Sequence, residues 1–123
     1  MADISKGAAN DRGKKIIKIS RAQDKSALPK LLKQLSVETS TQNKRHIVRA
    51  LGKLKDKSVV PLLEKMLQSD TGEILGDISR ALADIGSTAS TDKISVLGNH
   101  ELVWVKESVT YALRKLGGKI NVA

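Results

Sequence analysis

Residues 24–35 read DKSALPKLLKQL, and residues 56–67 read DKSVVPLLEKML. The two stretches share seven identical positions at a spacing of 32 residues. A second block, Arg49-Ala50-Leu51, returns 31 residues later as Arg80-Ala81-Leu82, and Ala112-Leu113 follows after another 31. Two independent blocks with nearly the same period indicate an internal repeat, which is typical of a protein built by stacking one small unit.

The repeated unit is predicted to be a pair of helices. Residues 42–54 place Ile47 and Leu51 on one face at spacings of three and four, the pattern of an amphipathic helix. A second helix is predicted from about Ser58, which we expect to be its N-cap. Pro61 then falls in the first turn, where its missing N–H has no helical partner to lose.

The whole chain of 123 residues fits this frame as an all-α protein. We predict helices over residues 11–22, 26–35, 42–54, 58–68, 72–85, 90–98 and 102–116. These make about three and a half helix pairs. A short pair cannot bury its apolar stripe alone, so the pairs are expected to stack into an α-solenoid. The predicted repeat domain spans residues 11–117, between a flexible N-terminal tail, 1–10, and a C-terminal tail, 118–123.

The repeat also resembles a known family. Residues 48–70, VRALGKLKDKSVVPLLEKMLQSD, are similar to the HEAT repeat, in particular to the short phycobilisome-lyase (PBS lyase) type. The run ALRKLGG from Ala112 and the pair Val105-Lys106 match the same pattern, whereas Asn43-Lys44 and Ile74-Leu75 depart from it. The resemblance implies an armadillo-like superhelix of helix pairs and says little about activity.

Positive charge is concentrated in the first half of the chain. Residues 1–60 hold 15 Lys and Arg against 5 acidic residues, a balance of +10, whereas residues 61–123 hold 7 against 8, a balance of −1. The basic side chains are predicted to lie opposite the apolar helix faces. The candidate binding residues are Lys14, Lys18, Arg21, Lys30, Lys33, Arg45, Arg49 and Lys53.

Two interpretations of this basic surface stay open. It can bind a polyanion, or it can be a solvated face that keeps a Leu-rich protein soluble. We hypothesise a non-catalytic scaffold that binds a macromolecular partner, an acidic protein in the first place. The alternative is a nucleic-acid binder that contacts phosphates without reading sequence. Trp104 and Tyr111 lie outside the basic half, so base stacking is not supported.

Residues for catalysis or metal binding are scarce. His46 and His100 have no metal-ligand spacing, and Asp77 and Asp84 are predicted to be surface acids. Trp104 is predicted to pack at the start of the last helix. We therefore predict no enzyme activity, no catalytic residue, no metal and no cofactor.

The cellular setting and assembly are also predicted from composition and pattern. The chain has no Cys, which excludes disulfides and suits a reducing compartment. Its apolar runs are short and its start lacks a secretory signal, so we expect a cytoplasmic protein without membrane spans. The last helix has no following partner, and its Val105, Val109 and Leu116 are expected to form an open apolar end. Self-association or capture of a partner is predicted there.

Overall fold

Seven α-helices and no strands make up residues 3–117, the part of the chain that the computed structural model describes. The helices are α1 Ala9–Ala22, α2 Leu28–Val37, α3 Thr41–Leu54, α4 Val60–Ser69, α5 Ile74–Ile85, α6 Thr91–Ser95 and α7 Val103–Lys115. The predicted all-α class and the seven helices are confirmed. In this described part, no helix is both long enough and apolar enough to cross a lipid bilayer.

The helices stack as a row of pairs. The odd-numbered helices pack directly on one another in chain order, α1 on α3, α3 on α5 and α5 on α7. Each even-numbered helix lies against the odd-numbered helix that follows it. Aliphatic side chains fill the space between them, and Ile47, Leu51, Leu82 and Ile94 are fully buried. Because each pair covers the apolar stripe of the next, the molecule is an α-solenoid, as predicted.

The turn before each of the first two even-numbered helices is built from the repeated Asp-Lys-Ser motif. The backbone N–H groups of Ser26 and Ser58 donate to the Asp24 and Asp56 side chains, each at 2.9 Å. The aspartates therefore act as the caps, and the prediction of serine caps was wrong. The proline of each copy lies in the first turn of α2 or α4, as predicted.

The first helix begins two residues earlier than predicted, at Ala9. The segment before it lies against the repeat domain. Ile4 is 3% exposed and belongs to the apolar core. Lys15 Nζ donates to the carbonyl oxygens of Asp3 and Lys6, each at 3.2 Å. Residues 3–7 therefore contact α1 on the side where a preceding repeat would pack. The predicted C-terminal tail, residues 118–123, lies outside the described residues.

Candidate functional site

Polar side chains recur every 31 residues at the interfaces between odd-numbered helices. One position holds Lys18 on α1, Arg49 on α3 and Arg80 on α5. The corresponding position on the next odd-numbered helix holds His46 on α3, Asp77 on α5 and Ser108 on α7. The three interfaces thus share a backbone geometry and differ in the chemistry of this polar pair.

At the α3–α5 interface the polar pair is ionic. Asp77 Oδ2 accepts from Arg45 Nε at 2.6 Å, and Asp77 Oδ1 accepts from Arg49 Nε at 2.8 Å. The Asp77 side chain is 1% exposed, so the prediction that it is a surface acid was wrong. Arg45 also pairs with Glu73 at 2.8 Å. A buried carboxylate held by two guanidinium groups fixes the register of α3 on α5.

At the α5–α7 interface an arginine is enclosed by aromatic rings. Arg80 Nε donates to Ser108 Oγ at 2.9 Å. Its guanidinium carbon lies 4.6 Å from the ring centroids of both Trp104 and Tyr111, the distance of a cation–π contact. Trp104 Nε1 also donates to the Glu73 carbonyl oxygen at 3.1 Å. Trp104 thus packs at the start of α7, as predicted.

The α1–α3 interface has an open groove instead. Two adjoining cavities of about 230 and 280 Å³ lie along it, and both are lined by Ile17 and His46. We call this pair of cavities the α1–α3 groove. Lys14, Arg21, Arg49 and Lys53 also line it, and no acidic side chain does. Asn43 Nδ2 donates to the Ala9 carbonyl oxygen at 2.8 Å and so ties the two helices together beside the groove.

The structure divides the eight predicted binding residues into three sets. Lys14, Arg21, Arg49 and Lys53 line the groove, and Lys18 lies exposed on α1. Lys30 and Lys33 are exposed on α2, outside the lining of the groove. Arg45 is only 14% exposed at its side chain and is neutralised by Asp77 and Glu73. It was predicted to be a surface cation and is mainly an interface residue.

Several groove cations lack an acidic partner inside the molecule. Among residues 3–117, Lys14, Lys18, Arg21 and Lys53 make no ion pair and no side-chain hydrogen bond. Arg49 bonds Asp77 through Nε while its side chain stays 40% exposed. The groove therefore combines a rigid frame with positive charge that the described part of the chain does not neutralise.

Both histidines have local structural surroundings. Burial lowers the pKa of His46, and the positive charges of Arg49 and Arg45 lower it further. At neutral pH His46 is thus an uncharged imidazole that can donate one hydrogen bond. His100 Nδ1 accepts from the Leu102 backbone N–H at 3.0 Å, within the turn before α7. Over the described residues, no three His, Cys, Asp or Glu side chains group as a metal site.

Sequence reasoning missed a second buried carboxylate. Glu38, whose side chain is fully buried, accepts from Arg12 Nη2 at 2.8 Å and Arg12 Nε at 3.1 Å. Its oxygens also accept from Gln34 Nε2 and from the backbone N–H groups of Thr39 and Ser40. These contacts hold the Arg12 guanidinium together with the Arg12 pair partner and lower the pKa of Glu38 to about 2.

The end of the solenoid differs from the predicted apolar surface. Val105 and Val109 are 0% and 1% exposed, so they belong to the core and do not form an open apolar end. The outer side of α7 instead carries a cavity of about 900 Å³ lined by Val103, Tyr111 and several charged side chains. Lys115 on this side is paired with Asp84 at 2.6 Å.

The stacked helix pairs and the polar side chains between them define an α-solenoid repeat protein. Residues 28–114 match the family model described as HEAT repeats. This match covers more than half of the chain, so the protein belongs to the HEAT-repeat family. None of the curated proteins matches it.

Proposed function

We propose that this HEAT-repeat protein is a non-catalytic scaffold that binds an acidic segment of a partner protein through the basic surface of α1, α2 and α3. HEAT repeats commonly serve as interaction scaffolds, because solenoids present extended surfaces on rigid elements. The observation that carries the proposal is the α1–α3 groove. Its cations have no acidic partner among the described residues, whereas the corresponding arginine of the α3–α5 interface holds Asp77.

The arrangement of these cations favours a partner with several negative charges. Lys14, Lys18 and Arg21 recur at spacings of three and four on α1, and Lys53 lies on α3, which packs directly against it. Helices in contact are about 10 Å apart, close to one Debye length at physiological salt. The fields of the two helices therefore reinforce each other along the groove.

A protein partner is favoured over nucleic acid by the position of the aromatic residues. Single-stranded nucleic acid is commonly bound by bases stacking on aromatic rings beside a basic groove. Here Trp104 and Tyr111 lie at the opposite end of the row of helices and enclose Arg80. Phosphate-backbone binding without sequence preference is the alternative function, and the experiment below includes it.

Three finer assignments rest on the sequence and are part of the same proposal. The PBS-lyase subtype rests on the motif of residues 48–70. The absence of enzyme activity rests on the ordinary structural contacts of the candidate side chains. The cytoplasmic location stays a prediction from composition.

Binding should be lost when the basic surface is neutralised. A fluorescent eight-residue glutamate peptide and a fluorescent eight-nucleotide single-stranded DNA are titrated with the full chain, and anisotropy is measured at several salt concentrations. The triple variant Lys14→Gln, Lys18→Gln, Arg21→Gln should bind the peptide at least about tenfold more weakly than the unaltered protein, a loss of about 1.4 kcal/mol. Loss of charge-assisted contacts and of the long-range field both contribute.

The matched control has the same change in net charge in the other half of the chain. Lys65→Gln, Lys106→Gln, Arg114→Gln replaces three exposed side chains on α4 and α7, and it should keep peptide affinity within about twofold. Equal losses in the two triple variants would contradict a localised binding surface. Tighter binding of DNA than of peptide, with a steep dependence on salt, would favour the nucleic-acid alternative.

A further inference from the structure

The α1–α3 groove occupies a position that holds an acceptor oxygen at both of the other interfaces. In the 31-residue register, Asp77 supplies a carboxylate between α3 and α5, and Ser108 supplies a hydroxyl between α5 and α7. At the same place between α1 and α3 the chain has His46. The basic half of the pair is retained, as Lys18, while the acceptor is replaced.

The α3–α5 interface shows how a carboxylate is held at this position. Asp77 uses both oxygens, one for each of two arginine Nε atoms, at 2.6 and 2.8 Å. By the same 31-residue relation, the α1 counterparts of Arg45 and Arg49 are Lys14 and Lys18. Two basic side chains are thus present at the α1–α3 interface in the register that holds a carboxylate one repeat further on.

The groove has room and donors for such a group. Its cavity of about 230 Å³ is lined by Ser20, Arg21, His46, Arg49 and Lys53. A water molecule occupies about 30 Å³ of liquid, so a carboxylate with its aliphatic stem can enter. Within the described chain, Arg49 bonds its protein partner through Nε, which leaves its Nη groups as donors. Ile17 and the imidazole of His46 provide an apolar wall for the stem.

We propose that the α1–α3 groove is a carboxylate subsite, in which an Asp or Glu side chain of the partner protein takes the place beside His46 that Asp77 occupies between α3 and α5. This refines the proposed function and rests on it, because it assumes an acidic protein partner. It adds that one carboxylate is bound at a defined place, held by Arg21, Arg49 and Lys53. The other basic side chains then attract the partner through their long-range field.

Three single variants with the same change in net charge test the subsite. His46→Asp fills the position with a carboxylate from the chain itself. Arg21→Gln removes a groove cation that has no hydrogen-bond partner in residues 3–117. Lys33→Gln removes a cation of the same basic surface that does not line the groove. The eight-residue glutamate peptide is titrated with each full-length variant at low salt, and thermal unfolding is recorded in parallel.

The subsite predicts a clear order of affinities. His46→Asp and Arg21→Gln should each weaken binding at least about tenfold, whereas Lys33→Gln should weaken it about twofold. The new carboxylate of His46→Asp should also raise the melting temperature, because it pairs with basic side chains of the groove. Arg21→Gln keeps the test decisive if His46→Asp does not fold.

Two results would overturn the inference in different ways. If the unaltered protein binds the peptide but both groove variants behave like Lys33→Gln, the subsite is wrong and the basic-surface scaffold stands. If the unaltered protein does not bind the peptide at low salt, both the subsite and the proposed function are wrong.

Discussion

Individual carboxylates join the repeats to one another in this solenoid. Asp77 joins α3 to α5 through Arg45 and Arg49, and Glu38 joins the end of α2 to α1 through Arg12. Both carboxylates are almost fully buried and fully hydrogen-bonded. A buried charge is tolerated only when its partners replace the lost hydration. Each of these acids therefore depends on specific arginines of a neighbouring helix.

Glu38 should make the stability of the protein depend on acidic pH. Its folded-state pKa is lowered from 4.5 to about 2, chiefly by the Arg12 hydrogen bond. A lowered folded-state pKa means that the stabilisation is complete above pH 4.5 and is lost as the pH falls toward 2. The free energy of unfolding, measured by urea denaturation, should therefore decrease across this window.

The control for this pH effect is Glu38→Gln. Asp24 and Asp56 also have lowered pKa values because they accept hydrogen bonds from Ser26 and Ser58, so part of the pH dependence should persist in the variant. Glu38→Gln should be less stable than the unaltered protein at pH 7 by about 2 kcal/mol, and the difference should shrink toward pH 2. A difference that stays constant with pH would contradict the assigned role of Glu38.

The residue scale also shows where prediction from sequence failed. Arg45 and Arg49 lie opposite the face of Leu51, which in an isolated helix pair would be solvent. In a solenoid an odd-numbered helix has neighbours on two further sides, and α5 covers Arg45 and part of Arg49. The 31-residue alignment of His46, Asp77 and Ser108 is present in the sequence and could have identified this second interface.

At the scale of elements, close contact between odd-numbered helices holds the row together. A Cβ atom added at Gly52 of α3 would lie 2.8 Å from Ala81 Cα on α5. At Gly76 of α5, an added Cβ would collide with Trp104 Nε1 on α7. The helices approach so closely because glycine replaces a side chain at these contacts. Helix existence could be predicted from the aliphatic period, whereas this close approach depends on tertiary neighbours.

Gly52→Ala should destabilise the protein even though alanine favours helix formation. The intrinsic gain of about 1 kcal/mol in helix propensity should be outweighed by displacement of α5, because the atom in the way is backbone and cannot rotate aside. Overpacking of this kind costs about 1–3 kcal/mol. Chemical denaturation should give a net loss of stability, and a variant as stable as the unaltered protein would contradict the close packing of α3 on α5.

Across the whole molecule, charge and shape are distributed unequally. The first interface keeps an open, basic groove, the second is closed by ion pairs, and the third is closed by an arginine between two aromatic rings. The excess charge of the N-terminal half was predictable by counting residues. The groove itself was not, because its opening depends on which side chains meet across α1 and α3.

The location of binding tests the central claim most directly. Backbone amide chemical shifts of the ¹⁵N-labelled protein are followed while the eight-residue glutamate peptide is added. We predict saturable shifts concentrated in residues 13–21 of α1 and 46–53 of α3, with little change over α7. Shifts concentrated on the outer face of α7, or spread evenly over both halves, would contradict the account.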